Sequence, residues 1–372
     1  MMSEAPETST TVRAAGTLAG RHAAAGDAER RLRPEVVDAL VDAGFGRWFT
    51  PPEFGGEPRS YRELAEAVTT VGEGCASAAW VAGLLAGSAR FAGFLPPQGQ
   101  AEVWEKGPDA RLVAAVVPQG TAAEVDGGWL VSGTWSFVSG VEFSDWAIVL
   151  GPVVPGVDEG RFFVVPRSDY TITDTWFTLG MRATGSQSLT LEEVFVPSRR
   201  SFPRAELLAG RPEPVAGPRR FAPLFAVNGL TFGCPILGAA RGALRIVEES
   251  LTQASAEGRA VRDSARIALA RAAGEIDAAE LLLARVARSA DHDEFTPALI
   301  ARSHRDSALC AALLTSAVDA LHNGSGVRGE AQSDPLQRVW RDVHAGAKHI
   351  VLQFEPAALH FTEHLVRPHS GG

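Results

Sequence analysis

The stretch Asp126-Gly127-Gly128-Trp129-Leu130-Val131-Ser132-Gly133-Thr134-Trp135-Ser136-Phe137-Val138-Ser139-Gly140 decides the fold class. Trp129–Val131 is an aromatic and β-branched run, the composition that favours strand. Asp126-Gly127-Gly128 ahead of it is a hairpin turn, because glycine accepts the positive φ that tight turns require. The strands it joins are expected to be antiparallel. Between about Arg111 and Phe221 lie further short runs of this kind, Leu112–Val117, Ala147–Leu150, Arg161–Val165 and Leu189–Val194, separated by Gly, Pro and Asp. The middle of the chain reads as a β domain.

On either side the pattern is helical. From about Thr11 to Trp104 apolar residues recur at helical spacing, as at Val36, Val37, Leu40 and Val41. Gly44, Gly46 and the segment Pro51-Pro52-Glu53-Phe54-Gly55-Gly56 interrupt it, and helices resume around Tyr61 and Gly74. Beyond a Pro/Gly/Arg-rich connector at Arg204–Pro223, the runs Ile236–Ser255, Ser264–Ala290, Pro297–His322 and Pro335–Leu365 predict four long helices able to pack as a bundle. Helices, then strands, then helices, with no alternating βα units and no internal repeat, define an α+β chain. Its expected domains are a helical unit over 1–110, a β unit over 111–222 and a helical bundle over 223–372.

With 372 residues, 45% hydrophobic and 21% charged, the chain can bury ordinary cores. A net charge of −9 without a Lys/Arg field argues against nucleic acid as a partner. Cys75, Cys234 and Cys310 are far apart and form no C-x-x-C pair, so neither a zinc site nor a disulfide framework is expected. The polar start MMSEAPETST and the lack of any run of eighteen apolar residues predict a cytoplasmic protein with no membrane span.

Two segments resemble the acyl-CoA dehydrogenase superfamily. Trp129 to Gly140, followed by Asp145-Trp146, is similar to the strand-and-turn signature of its flavin monooxygenase branch. Trp176-Phe177-Thr178-Leu179-Gly180-Met181-Arg182-Ala183-Thr184-Gly185-Ser186, continuing to Val194-Phe195-Val196-Pro197, resembles the superfamily's W-x-x-x-G-M-R-x-T-G-S and V-x-V-P pattern. The likeness extends over nearly the whole chain. Gly74 to Trp80 looks like the N-terminal helical segment of the hydroxylases, Arg341-Asp342 like the superfamily's R-D pair, and His349 falls where oxygenating relatives carry an active-site histidine. The fold it implies is a helical domain, an antiparallel β-barrel or sandwich, and a four-helix bundle. Many dehydrogenases place a catalytic Glu eight residues after the R-D aspartate, but Ile350 stands there, with Glu355 five residues on.

The branch implied is the two-component (group D) hydroxylases. Reduced flavin, FMN favoured over FAD, comes from a separate NAD(P)H:flavin reductase and reacts with O2 through a C4a-(hydro)peroxide to hydroxylate or N-oxygenate a small molecule. No G-x-G-x-x-G follows a predicted strand, which fits the lack of a built-in nicotinamide site. The resemblance assigns Ser139 to flavin N5, Trp135, Phe137 and Trp176 to the walls of the isoalloxazine, and Thr184 and Ser186 to flavin hydrogen bonds. His349 is the candidate acid/base, because imidazole titrates near neutrality. Arg259, Arg262 and Arg328 are candidates for the flavin phosphate, reaching a neighbouring subunit as in relatives. The Asn323-Gly324-Ser325-Gly326 turn before Arg328 departs from the double glycine of dehydrogenases. His360 and His364 have helical metal-ligand spacing, but no H-E-x-x-H motif accompanies them and no metal is expected. A homotetramer and a role in natural-product biosynthesis complete what the resemblance implies. The competing readings are an acyl-CoA dehydrogenase or oxidase with bound FAD, and a catalytically silent binding protein of the same fold.

Overall fold

The computed structural model describes residues 6–57, 59–152, 160–213 and 219–366. Five helices come first: α1 (Pro6–Glu29), α2 (Pro34–Asp42), α3 (Tyr61–Gly72), α4 (Ala76–Ala92) and α5 (Pro97–Val103). Ser60 caps α3 in a reciprocal box with Glu63, which satisfies backbone donors that the first turn leaves open. Eight strands follow: β1 (Leu112–Ala115), β2 (Thr121–Val125), β3 (Gly128–Val138), β4 (Trp146–Pro152), β5 (Gly160–Pro166), β6 (Thr171–Thr173), β7 (Gln187–Pro197) and β8 (Ser201–Pro203). The chain then returns to helix as α6 (Arg204–Ala209), α7 (Leu224–Ala256), α8 (Asp263–His292), α9 (Pro297–Ser325), α10 (Pro335–Gly346) and α11 (Phe354–Leu365).

The strands form two four-stranded sheets, ordered β1-β4-β5-β8 and β2-β3-β7-β6. Gly127, at φ 76°, makes the turn between β2 and β3, and that pair is antiparallel. β1 runs parallel to β4, the one departure from the antiparallel expectation among the described strand pairs. Val131, Trp135, Val149, Phe163, Leu189 and Leu191 fill the space between the sheets. On the outer face of the first sheet Ile148, Leu150, Phe162 and Val164 pack with Phe94, Leu95 and Trp104. Alternate residues of β4 and β5 thus enter two different cores, which is why both strands read as unbroken apolar runs.

The N-terminal and C-terminal helices share a third core, holding Leu40, Val68 and Val71 together with Ile236, Leu283, Leu314 and Val343. α7 is long and apolar enough to cross a membrane, but 67% of its most apolar window is buried inside the protein. It starts twelve residues before the predicted Ile236, carrying Pro235 in its interior. Proline has no N–H to offer the Thr231 carbonyl four residues back, a loss that ordinarily ends a helix but here is tolerated inside a packed core. The predicted helix Pro335–Leu365 is in fact two, α10 and α11, parted by a 3-10 turn at Ile350–Leu352. All three cysteines are buried and free.

Candidate active site

The site is built where α4, the end of β3, the loop before β7, α7 and the end of α10 meet. α10 fixes the loop. The Arg341 guanidinium donates to the Leu179 carbonyl at 2.6 Å and to Asp27 at 2.8 Å, and the Met181 N–H donates to Asp342 Oδ1 at 2.6 Å. At Gly180 a Cβ would lie 2.1 Å from the Arg341 carbonyl, so the loop reaches α10 only because that residue is glycine. The R-D pair is thus the clasp that holds the G-M-R segment. Burial pushes the Asp342 carboxyl up to about 7, against the opposing effect of the Met181 N–H.

From this clasp a chain of hydrogen bonds runs outward with one polarity. Thr184 donates to the Met181 carbonyl at 2.8 Å and Trp176 Nε1 donates to the same oxygen at 3.0 Å. Thr184 and Ser186 hydroxyls lie 2.6 Å apart, Ser186 and Ser139 hydroxyls 2.7 Å apart, and Trp80 Nε1 donates to Ser139 Oγ at 3.2 Å. Because the Thr184 proton is committed to a carbonyl, Ser186 donates to Thr184 and Ser139 donates to Ser186. Ser139 Oγ accepts from Trp80 and keeps a second lone pair. The Gly140 N–H donates to the Thr184 carbonyl at 2.8 Å, closing the end of β3 onto the loop.

Trp80 joins this chain to His349. Its ring meets the imidazole edge-on at 5.6 Å and Phe232 at 4.8 Å, while Phe232 stacks on His349 at 3.6 Å and 24°. His349 lies outside both helices, at the head of the 3-10 turn, and its Nδ1 accepts from the Val351 N–H at 3.4 Å. That contact assigns the ring proton to Nε2. Burial pushes the imidazole down to about 4, so it does not titrate near neutrality as the sequence suggests. Ile350 is 63% exposed, and Glu355 is exposed at the start of α11.

Of the aromatic candidates, Phe137 and Trp176 meet edge to face at 5.9 Å, with Phe137 74% exposed and Trp176 half-buried. Trp135 does not join them. It is 1% exposed in the sandwich core, where its indole donates to the Leu150 carbonyl at 2.8 Å. Residues two apart on a strand share a face, but the register shifts between Trp135 and Val138 and Phe137 takes φ 64°, so this bulge turns Phe137 outward while Trp135 stays in. The hydroxyl protons of Thr184 and Ser186 are used within the chain, so these residues orient Ser139 rather than point outward as donors.

The arginine candidates lie elsewhere in this chain. Arg259 pairs with Glu257 at 2.8 Å, and Arg262 donates to the Gly324 carbonyl at 3.2 Å, which brings the α7–α8 turn to the end of α9. Arg328 falls in the turn Gly326–Glu330, with its side chain outside the described residues. Among the described residues no three His, Cys, Asp or Glu side chains converge as a metal site. Trp80 and Phe232 escape sequence reading because an aromatic on a helix face reads as core; the one signal was Trp80's place in the Gly74–Trp80 segment.

The exposed Phe137–Trp176 pair, with Phe137 two residues from Ser139 in the chain, and the uncommitted lone pair of Ser139 suit a flat ring system bearing an N–H donor, the chemistry of a reduced flavin. The architecture is that of the acyl-CoA dehydrogenase fold, and residues 230–354 match the family described as acyl-CoA dehydrogenase, C-terminal domain. The oxygenase subunit HsaA of a flavin-dependent monooxygenase from Mycobacterium tuberculosis is 33% identical over 354 residues, 90% of this chain and 89% of that protein. The oxygenase component of FADH2-dependent resorcinol hydroxylase from Rhizobium sp. is 32% identical over 395 residues, 95% of each chain. Among solved structures, 3-HSA hydroxylase from Rhodococcus sp. RHA1 superposes with a TM-score of 0.90 at 27% identity, covering 98% of this chain and 97% of that one. XiaF from Streptomyces sp., in complex with FADH2 and glycerol, gives a TM-score of 0.88 at 28% identity, covering 96% and 94%. The chain belongs to the flavin-dependent monooxygenases of acyl-CoA dehydrogenase fold, as an oxygenase component of the two-component hydroxylases.

Proposed function

We propose that this oxygenase hydroxylates a phenolic or similarly electron-rich ring, using reduced flavin delivered by a separate NAD(P)H:flavin reductase. FMN is the favoured form, FAD the alternative, and an amine nitrogen the second class of oxygen acceptor. The observation that carries the reading is the one-way hydrogen-bond chain that leaves Ser139 an acceptor. When bound, the reduced flavin supplies the electrons that let O2 place one oxygen atom on the substrate and the other in water. Ser139 Oγ accepts from the N–H at flavin N5 and so holds that proton in place. Phe137 and Trp176 cover the ring and exclude water. His349, neutral at working pH, offers Nε2–H as a hydrogen-bond donor toward the reacting oxygen or the substrate hydroxyl, with Phe232 and Trp80 fixing its ring. The absence of a carboxylate at position 350 supports oxygenation over acyl-CoA dehydrogenation. The phosphate roles of Arg259, Arg262 and Arg328, a homotetramer, a cytoplasmic location and a part in natural-product biosynthesis belong to the same proposal and rest on the family resemblance.

The test supplies a flavin reductase, NADH, FMN or FAD and 18O2, with a panel of phenols and aromatic amines. A product carrying one 18O atom is the expected result. Release of hydrogen peroxide alone with every substrate, together with anaerobic reduction of bound flavin by an acyl-CoA, would overturn the proposal in favour of the dehydrogenase reading.

A further inference from the structure

Trp80, Phe232 and His349 are brought together by stretches of chain that carry no charge. α4 has no Asp, Glu, Lys, Arg or His over the fourteen residues from Ala76 to Ala89, and α7 has none over the seventeen from Leu224 to Ala240. The first charge on α4, Arg90, comes ten residues after Trp80, ~15 Å along the helix at 1.5 Å per residue, and donates to the Ala222 carbonyl. The first charge on α7, Arg241, pairs with Glu280 and Glu73. α10 closes the stack from behind with apolar contacts: a Cβ at Gly346 would lie 2.7 Å from the Ile236 side chain and 3.3 Å from the Trp80 ring.

The charged neighbours of His349 along the chain are engaged elsewhere. Arg341 holds Asp27 and the Leu179 carbonyl, Asp342 accepts from the Met181 N–H, and His344 meets Asp319 of α9 at 2.8 Å. Lys348 and Glu355 are exposed. On α9, His304 is 8% exposed and hydrogen-bonds the Val351 backbone; burial lowers its pKa, so it is neutral near pH 7. Arg111, which shares a small cavity with Ser139, is bound by Asp145 at 3.1 and 3.0 Å. Burial is the one cause that lowers the His349 pKa, and no charged side chain among the described residues acts on it.

A carboxylate or ammonium that leaves water beside these rings meets no counter-charge, and an unpaired charge in apolar surroundings is strongly disfavoured. A neutral aromatic ring meets no such cost and gains from contact with Trp80 and Phe232. The polar group that His349 offers is its neutral Nε2–H, because Nδ1 accepts from the Val351 N–H. One neutral donor suits a hydroxyl and does not balance an ion.

We infer that the substrate is an uncharged aromatic compound: the ring that lies at His349 bears no carboxylate, phosphate or ammonium within a few bonds, and the walls made by Trp80 and Phe232 select against such groups. The inference rests on the hydroxylase reading above and narrows its substrate class. It makes Trp80 and Phe232 determinants of specificity, acting against both signs of charge.

The first measurement is kcat/KM, with reduced flavin and O2, for four phenols that differ only in the group ending a two-carbon tether: 4-propylphenol, 3-(4-hydroxyphenyl)propanamide, 3-(4-hydroxyphenyl)propanoate and 4-(2-aminoethyl)phenol. The two neutral phenols should exceed the acid and the ammonium by about a hundredfold or more. The second is equilibrium dialysis of the same four against the full chain with reduced flavin and no O2, where the dissociation constants follow the same order. Phe232→Lys sets an ammonium against His349 and should raise the acid-to-amide ratio of affinities about tenfold or more. If that variant fails to fold, the four ligands decide alone. An acid or an ammonium within about threefold of the amide in either measurement overturns the inference and leaves the hydroxylase standing. Rejection of the acid with acceptance of the ammonium would trace the selection to the net charge of −9 and not to the stack, and overturns it as well. So does a folded Phe232→Lys that leaves the ratio unchanged. Failure of all four to be oxygenated, with the neutral pair still bound the more tightly, instead tells against the hydroxylase reading.

Discussion

His349 and Asp342 stand seven residues apart, and burial moves them in opposite directions. The imidazole falls from its ordinary 6.5 to about 4 and the carboxyl rises to about 7. As pH drops below 6.5 the unfolded chain protonates its histidine before the folded chain does, so the stability that His349 contributes above 6.5 is lost toward pH 4. Asp342 does the reverse, since the unfolded chain gives up its proton first, and stability is lost as pH rises from about 4 toward 7. Urea unfolding across pH 4.5 to 8 should therefore show His349→Gln less sensitive to acid than the wild type. Asp342→Asn, which keeps the carbonyl facing the Met181 N–H, should gain on the wild type between pH 5 and 8 by an amount on the order of 1 to 4 kcal/mol. Parallel curves would mean that neither group is held as the structure places it. Ser139→Ala removes the acceptor at the end of the hydroxyl chain. Loss of one hydrogen bond of ~1.4 kcal/mol should raise the rate of hydrogen peroxide release about tenfold, read as peroxide formed per NADH consumed. An unchanged yield would assign the serine to the loop alone.

β3 carries the device that separates Trp135 from Phe137. At φ 64° a residue with a Cβ is strained by about 1 kcal/mol relative to glycine. Phe137→Gly should thus be more stable than Phe137→Ala by about that amount, the reverse of the usual order within a strand, while both weaken binding of reduced flavin by removing the exposed ring. Thermal midpoints in the usual order would mean the bulge relaxes when the ring is gone. Such a bulge was not legible: Trp129–Val131 is a strand by composition, but its length and its twist at Ser136 and Phe137 depend on pairing with β7, far along the chain. The strands with two buried faces, β4 and β5, were legible because their runs are apolar throughout; β2, β6 and β8, five residues or fewer with no long apolar run, were not. Pro235 hid the first third of α7, and with it Phe232, because a proline inside a helix is tolerated only by packing that local sequence cannot show. The motifs name Ser139, Phe137, Trp176 and His349 as candidates along the chain, but not the Trp80 indole that links Ser139 to His349.

At the scale of the whole molecule the proposed site residues sit on elements from every part of the chain, so their spacing depends on how closely those elements approach. α3 and α7, from the two sides of the β strands in the chain, meet through Gly72 and Gly238. A Cβ at Gly238 would lie 2.2 Å from the Thr69 carbonyl and 2.7 Å from the Gly72 Cα, both backbone atoms that cannot swing aside. Gly238→Ala must therefore part the helices. Overpacking of this kind costs ~1 to 3 kcal/mol or more, against ~1 kcal/mol returned by the better helix former. Gly274→Ala in α8 supplies the comparison, since its Cβ would meet nothing within 4 Å and only the helix-propensity gain remains. The two variants make the same chemical change in long helices, so opposite shifts of the thermal midpoint, down for Gly238→Ala and up for Gly274→Ala, isolate the close approach. α7 also carries Phe232, whose ring holds both Trp80 and His349, so Gly238→Ala should lower product formed per NADH where Gly274→Ala does not. Equal midpoints would place the joint between the two helical parts elsewhere. A lowered midpoint with full coupling of NADH to product would mean that the Trp80–Phe232–His349 stack is held by the loop and α10 rather than by the packing of α3 on α7.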